Sequence, residues 1–268
     1  MPRFSANLGF LFTEVPFLER FGEAAHAGFR AVEFPFVPDI QVREMAAEVK
    51  RHKLDVVLMN ASGGDWLAGD RGLASLDGRE HEFAAGLVTA LRYAQTLECP
   101  RIHVMAGLLP PGADIAERTR RRRNYLRNIR FACEEALAQN VSIMIEPINP
   151  RDIPGYFLQT QLEAHAIREE IGMPNLKVQM DLYHAQVVEG DLSHKLRHWL
   201  PHIGHIQIAG VPDRHEPDTG EVNYAHIFRL LDELKYTGYV GCEYRPAHGT
   251  LEGLTWFYKL IDRPPART

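Results

Sequence analysis

The feature that most constrains the fold of this chain is a regular alternation of short apolar runs and longer amphipathic segments along its 268 residues. The apolar runs have the length of strands, and the segments between them carry apolar residues at helical spacing. Strands that alternate with helices in this way form parallel βα units. Eight such units predict a single (β/α)8 TIM barrel domain over residues 1–268, because that fold typically needs about 250 residues.

The predicted strands are residues 3–10, 30–34, 54–60, 101–105, 141–146, 176–181, 203–207 and 239–243. The predicted helices are residues 16–27, 40–52, 80–97, 115–139, 161–171, 192–200, 225–234 and 251–260. No Gly-x-Gly-x-x-Gly motif follows the first predicted strand. The pattern therefore favours a closed barrel over an open dinucleotide-binding sheet.

Charge and cysteine content narrow the class of protein. The formal net charge of -5 gives no general attraction to nucleic acid or to acidic membranes. The three cysteines form no Cys-x-x-Cys pair, and their odd number fits a reduced cytoplasmic protein. The apolar run at residues 4–12 is too short to span a bilayer and lacks the features of a signal peptide, so we assign it to the first strand.

Polar residues end the last four predicted strands, and they are Glu146, Asp181, Gln207 and Glu243. A carboxylate at the end of a buried strand is costly unless a cation or hydrogen bonds meet it. The carboxyl ends of the strands lie together at one end of a barrel, so we expect these four side chains to converge. Such oxygen ligands are those that Mg²⁺ and Mn²⁺ prefer. The pattern predicts a site for one divalent cation, Mg²⁺ or Mn²⁺.

Strand 7 leaves two candidate ligands, because residues two apart share a face of a strand. His205 therefore faces the same side as Gln207. We favour Gln207 because it lies nearer the carboxyl end of the strand, level with the other three residues, and His205 remains the alternative.

Two long connections, residues 61–79 and 209–223, leave the ends of strands at which barrel enzymes place their active sites. Arg214 lies in the second of them, Arg245 shares the face of Glu243, and His184 follows Asp181 by three residues. An arginine can bind a substrate carboxylate through two hydrogen bonds, and a positioned histidine can polarise a substrate oxygen. These three residues are the candidate substrate-binding residues. For Glu33, His103 and Asn60 we expect a structural hydrogen-bonding role.

Several segments strongly resemble the hydroxypyruvate isomerase family, which belongs to the xylose-isomerase-like barrels. They are residues 12–21 (FTEVPFLERF), 145–149 (IEPIN), 179–184 (QMDLYH), 204–209 (GHIQIA) and 241–246 (GCEYRP), together with the Arg-His-Glu-Pro of residues 214–217 and the Thr-Gly-Glu of residues 219–221. The resemblance covers essentially the whole chain. It implies a metal site at Glu146, Asp181, Gln207 and Glu243, with Glu146 and Glu243 as the catalytic acid/base pair.

The implied reaction is a metal-dependent aldose–ketose isomerisation through an enediolate, which converts hydroxypyruvate to 2-hydroxy-3-oxopropanoate (tartronate semialdehyde). The related ketose 3-epimerases carry a histidine where this chain has Gln207, which favours the hydroxypyruvate side of the superfamily. A 2-oxo-tetronate isomerase and a ketose 3-epimerase remain as alternatives. A metal phosphodiesterase of the endonuclease IV type and a non-catalytic sugar-acid binding protein are the other rivals. The expected partner is a small keto acid or sugar acid, with no nucleic acid or membrane, and a homo-oligomer stays open.

Overall fold

The structure, a computed structural model, describes residues 1–261 of the chain. Within them, eight parallel strands close into a barrel in chain order, and the last strand pairs with the first. The strands are β1 (Arg3–Asn7), β2 (Ala31–Phe34), β3 (Asp55–Asn60), β4 (Arg101–His103), β5 (Ser142–Ile145), β6 (Leu176–Asp181), β7 (Ile203–Ile208) and β8 (Tyr239–Cys242). The predicted (β/α)8 barrel is confirmed, and residues 262–268 of the predicted domain lie outside the described part.

The helices are α1 (Glu19–Ala27), α2 (Val42–His52), α3 (Glu80–Thr96), α4 (Ile115–Leu137), α5 (Gln161–Ile171), α6 (Leu182–Val188), α7 (Leu192–Trp199), α8 (Tyr224–Glu233), α9 (Thr250–Gly253) and α10 (Thr255–Leu260). Local sequence explains several of their boundaries. Helix α5 begins where the Thr160 hydroxyl accepts the Glu163 N–H and ends at Gly172, whose φ of 69° is accessible to glycine without strain.

Several elements differ from the prediction, among them α1, which begins at Glu19 rather than at residue 16, and β4, which ends at His103 rather than at residue 105. Strand β1 ends at Asn7 rather than near Phe10, because the Asn7 side chain accepts the Gly9 N–H and its carbonyl accepts the Phe10 N–H, which turns the chain. Helix α6 was not predicted, and it begins directly after Asp181, which caps it by accepting the Tyr183 N–H. The last predicted helix is divided into α9 and α10.

Aromatic packing fixes the C-terminal helices against the seam where β8 meets β1. The Phe4 ring of β1 makes edge contacts with Phe228, Trp256 and Phe257, and Phe257 stacks on Phe29 with ring centroids 4.3 Å apart. Residues 1–261 include no helix that is long and apolar enough to cross a membrane.

Candidate active site

The four predicted strand-end residues lie together at the C-terminal end of the barrel. Glu146 follows β5, Asp181 ends β6, Gln207 belongs to β7 and Glu243 follows β8. Glu146, Asp181 and Gln207 are buried, and Glu243 is partly buried. A cavity of about 1060 Å³ opens above them, and its lining includes Asn7, Glu146, Gln179, His184, Arg214 and Glu243.

The three carboxyl groups are short of positive charge. Burial raises the pKa of Glu146 well above its usual value, and the neighbouring Glu243 and Asp181 add to the effect. Burial likewise raises the pKa of Asp181 to about 6 and that of Glu243 to about 8, although Arg214 opposes both shifts. The Oε1 atom of Glu146 is buried without a hydrogen-bond partner, and its Oε2 lies 3.5 Å from Nδ1 of His103. Burial lowers the pKa of His103 to about 3, so His103 supplies no charge.

Arg214 is the cation of the site. Its Nη2 donates to Glu243 at 3.0 Å and to Asp181 at 3.3 Å, and its Nη1 donates to Asp152 at 2.9 Å. The guanidinium lies between the rings of Phe10 and Tyr183, at 4.8 and 5.0 Å from their centroids. Arg214 thus neutralises part of the carboxylate cluster in this structure.

The backbone around Arg214 holds its side chain over the cavity. Its φ of 59° is left-handed, which is unusual for a residue with a side chain. Its N–H donates to the Gly210 carbonyl, and its own carbonyl accepts the Arg245 N–H, both at 2.8 Å. The loop after β7 is therefore joined by a hydrogen bond to the segment that follows β8.

Gln207 is held by two side chains, one from the neighbouring strand β6 and one from β2. Its Nε2 donates to Glu33 at 2.7 Å, and its Oε1 accepts from Nε2 of Gln179 at 2.6 Å. The amide is therefore fixed in one orientation, and its oxygen keeps a second lone pair. His205 does not lie level with the three carboxyl groups: its Nε2 bonds to Glu33 at 2.7 Å, one layer deeper in the barrel.

Glu33 is the centre of this deeper layer, as its predicted structural role requires. It is fully buried and accepts hydrogen bonds from Ser5, Asn7, His205 and Gln207. Burial alone would raise its pKa, but His205 and the hydrogen bonds lower it below the usual value. Gly241 makes room for it, since a Cβ atom at this glycine would lie 2.4 Å from both Glu33 oxygens.

Asn7 links this layer to the active-site carboxyl of β8. Its Nδ2 donates to Glu243 at 3.0 Å and to Glu33 at 3.2 Å, while its Oδ1 accepts the Gly9 N–H. The orientation of its amide is therefore determined. Asn7 was not among the predicted site residues, although Ser5 and Asn7 alternate with apolar residues in β1, and this alternation indicates that their polar side chains face the barrel interior.

His184 lies on α6, and its hydrogen bonds indicate which nitrogen carries the proton. Its Nδ1 is 2.6 Å from Nδ2 of Asn149, whose Oδ1 accepts the Asp152 N–H and so fixes that amide. Two donors, the Asn149 side chain and its N–H, thus face Nδ1, which must be the acceptor. Burial lowers the pKa of His184 well below its usual value. The neutral ring therefore presents Nε2–H, which lies 3.5 Å from Oδ2 of Asp181.

Arg245 lies at the mouth of the cavity and is exposed. Its guanidinium is 5.8 Å from the Phe10 ring and makes no ion pair with any of residues 1–261. The loop after β3 lies at the same mouth, where Trp66 is 52% exposed and the Arg71 guanidinium packs on its ring. Of the three predicted substrate-binding residues, Arg245 is thus the one whose charge is available.

The arrangement fits a hard divalent cation. Among the residues that the structure describes, Glu146, Asp181 and His184 place one potential ligand atom each within 4.8 Å of one another. The unpartnered oxygen of Glu146 and the raised pKa values of the three carboxyl groups indicate that Arg214 alone does not balance the charge of the cluster. Its oxygen donors match Mg²⁺ and Mn²⁺.

Comparison with known proteins agrees with this geometry. Residues 21–260 match the family model of the xylose isomerase-like TIM barrel. The chain is 52% identical to the 2-oxo-tetronate isomerase of Cupriavidus necator, over 98% of this chain and 100% of that protein. It is 42% identical to the hydroxypyruvate isomerase of Escherichia coli, over 96% of this chain and 98% of that protein.

A crystal structure described as an AP endonuclease, family 2, from Brucella melitensis superimposes with a TM-score of 0.93 at 46% identity, over 97% of this chain and 99% of that one. A D-psicose 3-epimerase from Clostridium cellulolyticum shares the fold with a TM-score of 0.75 at 20% identity, over 93% and 87% of the two chains. The chain therefore belongs to the xylose isomerase-like TIM barrels and, within them, to the family of the hydroxypyruvate and 2-oxo-tetronate isomerases.

Proposed function

We propose that this protein is a divalent-metal-dependent isomerase of small 3-hydroxy-2-keto acids. The reaction moves a proton from C3 to C2 of the substrate through an enediolate, which exchanges the positions of the carbonyl and hydroxyl groups. The observation that carries the proposal is the pair Glu146 and Glu243, two carboxyl groups with raised pKa values that line one cavity beside Asp181. Two carboxyl groups in such positions can act as general acid and general base.

For hydroxypyruvate, the product is 2-hydroxy-3-oxopropanoate. The second candidate substrate is a 2-oxo-tetronate, which is longer by one carbon. Relatives named for either reaction match this chain, at 52% and 42% identity for two 2-oxo-tetronate isomerases and 42% for a hydroxypyruvate isomerase, so both acids stay candidates. The cavity of about 1060 Å³ has room for either acid.

The metal ligands in this proposal are Glu146, Asp181, Gln207 and Glu243, and the cation is Mg²⁺ or Mn²⁺. When bound, the cation supplies Lewis-acid stabilisation of the negative charge on the substrate oxygens. The free lone pair of the Gln207 oxygen is the donor that this residue contributes. His184 is not among the ligands, because its Nε2 carries the proton and serves instead as a hydrogen-bond donor to a substrate oxygen.

Glu146 and Glu243 act as the acid/base pair. Asn7 holds Oε1 of Glu243 while Arg214 binds its Oε2, so this carboxyl group has a fixed plane. Glu146 has a free oxygen, Oε1. One carboxylate removes the C3 proton and the other carboxyl group returns a proton at C2.

The substrate carboxylate is held by an arginine. Arg245 is available for this contact in the structure, whereas the Arg214 guanidinium is engaged by Asp152, Asp181 and Glu243. Charge-assisted bidentate hydrogen bonds between guanidinium and carboxylate give both affinity and orientation.

The test is turnover of the Mg²⁺- or Mn²⁺-loaded protein on hydroxypyruvate, on 2-oxo-tetronates and on free ketoses, measured side by side. We expect turnover of at least one keto acid and its loss on chelation. Turnover of free ketoses alone would instead support the 3-epimerase alternative. A DNA duplex with an abasic site belongs in the same panel, because the Brucella melitensis structure carries an endonuclease name, and cleavage without isomerisation would refute the proposal.

A further inference from the structure

A second and larger cavity, of about 1470 Å³, lies at the opposite end of the barrel, where the strands begin. It shares no lining residue with the candidate active site. Six cationic side chains line this cavity, whereas its lining contains two carboxylates, those of Asp55 and Glu98. This balance is the reverse of that of the whole chain, whose net charge is -5. We name this cavity the basic mouth and define it by Arg3, Arg101 and Lys177 at the starts of β1, β4 and β6, with Lys53 and Lys235 at the rim.

Three of these cations point into the barrel because of strand periodicity. Arg3 lies two residues before Ser5, which reaches Glu33 in the barrel interior. By the same alternation, Arg101 precedes His103, which faces Glu146, and Lys177 precedes Gln179, which bonds to Gln207.

One glycine, Gly204, and one tyrosine, Tyr239, support this geometry. A Cβ atom at Gly204 would lie 2.7 Å from Cβ of Lys177, so the glycine of β7 leaves space for the lysine stem. The Arg3 guanidinium packs on the ring of Tyr239, 4.4 Å from its centroid. The side chains of Arg3 and Lys177 are therefore held in defined positions by their neighbours.

None of the five cations of the basic mouth forms an ion pair within residues 1–261. Arg3 donates to the Thr237 carbonyl, Arg101 to the Val57 carbonyl at 3.2 Å and Lys177 to the Pro201 carbonyl at 3.5 Å. The remaining donors of each group are uncommitted.

Neither Asp55 nor Glu98 forms an ion pair with these cations in the part of the chain that the structure describes. The carboxylate of Asp55 accepts the Tyr239 hydroxyl at 2.9 Å. Like charges that converge in a concave, partly apolar site repel one another and concentrate a positive potential there. That potential favours the binding of a multiply charged anion.

We propose that the basic mouth is a second, non-catalytic site that binds the phosphate group of a small phosphorylated molecule. A phosphate dianion offers three oxygens to the three inward cations, and Arg3 and Arg101 can each donate two hydrogen bonds to it. Its volume exceeds that of phosphate alone, so the group that carries the phosphate has room as well. The proposal is independent of the reaction at the other end of the barrel.

Calorimetric titration of the intact protein with inorganic phosphate and with pyrophosphate, in Mg²⁺ buffer, tests the proposal. The variants are Lys177→Gln and Arg101→Gln. Arg229→Gln is the matched control, because this exposed arginine of α8 lies outside the cavity and its substitution makes the same change in charge. Arg245→Gln reports whether phosphate instead binds at the candidate active site.

We expect saturable binding to the wild type, and an increase in Kd of about tenfold or more in both Lys177→Gln and Arg101→Gln, as expected when one charged hydrogen-bond donor is lost. Kd should be unchanged in Arg229→Gln and Arg245→Gln. Phosphate should also raise the melting temperature of the wild type more than that of Lys177→Gln.

Three results would overturn the proposal: no saturable binding to the folded wild type, an equal loss in Arg229→Gln, or loss in Arg245→Gln but not in the two basic-mouth variants. Both basic-mouth variants should fold, because each removes only one carbonyl contact and relieves repulsion. If one of them does not fold, the other decides the test.

Discussion

Glu33→Gln is the substitution that most sharply tests the layer beneath the candidate active site. Glu33 accepts from Ser5 at 2.8 Å, from His205 at 2.7 Å, from Gln207 at 2.7 Å and from Asn7 at 3.2 Å. All of these partners are arranged as donors, whereas a carboxamide offers one acceptor oxygen and one donor nitrogen. At least one partner must then meet an NH₂ group in place of a carboxylate oxygen.

The expected cost follows from these contacts. A hydrogen bond to a charged group contributes about 1.5–3 kcal/mol and a neutral one about 1 kcal/mol. Glu33→Gln loses the short bond from His205 and weakens the bonds that remain. On these values the free energy of unfolding falls by roughly 2–5 kcal/mol. For a protein of this size we expect the melting temperature to fall by about 5–15 °C. Because the bond that orients Gln207 would become weaker when its acceptor loses its charge, Mn²⁺ affinity should also fall by about 10–100-fold, as for other residues that orient metal ligands.

The assay is thermal and urea unfolding of metal-free protein, followed by Mn²⁺ titration of the folded variant. Glu135→Gln is the control, because Glu135 is exposed on α4, makes no ion pair with the described residues and should change stability by less than about 0.5 kcal/mol. A Glu33→Gln protein as stable as Glu135→Gln, with wild-type Mn²⁺ affinity, would refute the reasoning.

Three further predictions concern the site itself. Replacing Glu146 or Glu243 by Gln should lower kcat by at least about 100-fold at saturating Mn²⁺, since each removes a catalytic acid or base; near-normal kcat in a metal-filled Glu243→Gln protein would exclude that residue from the role. Asp181→Asn should weaken Mn²⁺ binding strongly in a titration, and chelation should lower the melting temperature of the wild type but not of this variant. Arg245→Lys should raise KM for the keto acid more than KM for an uncharged ketose, because Lys cannot make the bidentate contact. An equal effect on both substrates would assign the carboxylate contact to Arg214 or to another group.

The barrel was predictable because its signal is local and repeated. Each strand and each helix is recognisable from its own periodicity, and eight such pairs leave few other folds. The boundaries that differ depend on single side chains. Asn7 ends β1 by accepting the Gly9 N–H, and Asp181 begins α6 by accepting the Tyr183 N–H. The pattern of apolar spacing marks both residues as polar, but it does not show which N–H group each one accepts.

The convergence of the strand ends was also predictable, because parallel strands in a barrel bring their carboxyl ends together. The hydrogen-bond partners of those residues were not predictable from the sequence. Asn7 and Glu243 are separated by 236 positions, and Glu33 and Gln207 by 174. Such contacts depend on barrel closure and on the register of neighbouring strands. The three carboxylates around Arg214 likewise follow from a left-handed backbone in a loop, which the sequence does not specify.

We propose above that two carboxyl groups move a proton between C3 and C2 of a small keto acid with the aid of a divalent cation. The most direct test is proton NMR of hydroxypyruvate and a 2-oxo-tetronate in D₂O, with Mg²⁺-saturated protein and with the same protein after chelation. We expect conversion only with Mg²⁺, and solvent deuterium at C2 of the product. Equal conversion by the chelated protein, or a product without deuterium at C2, would contradict it.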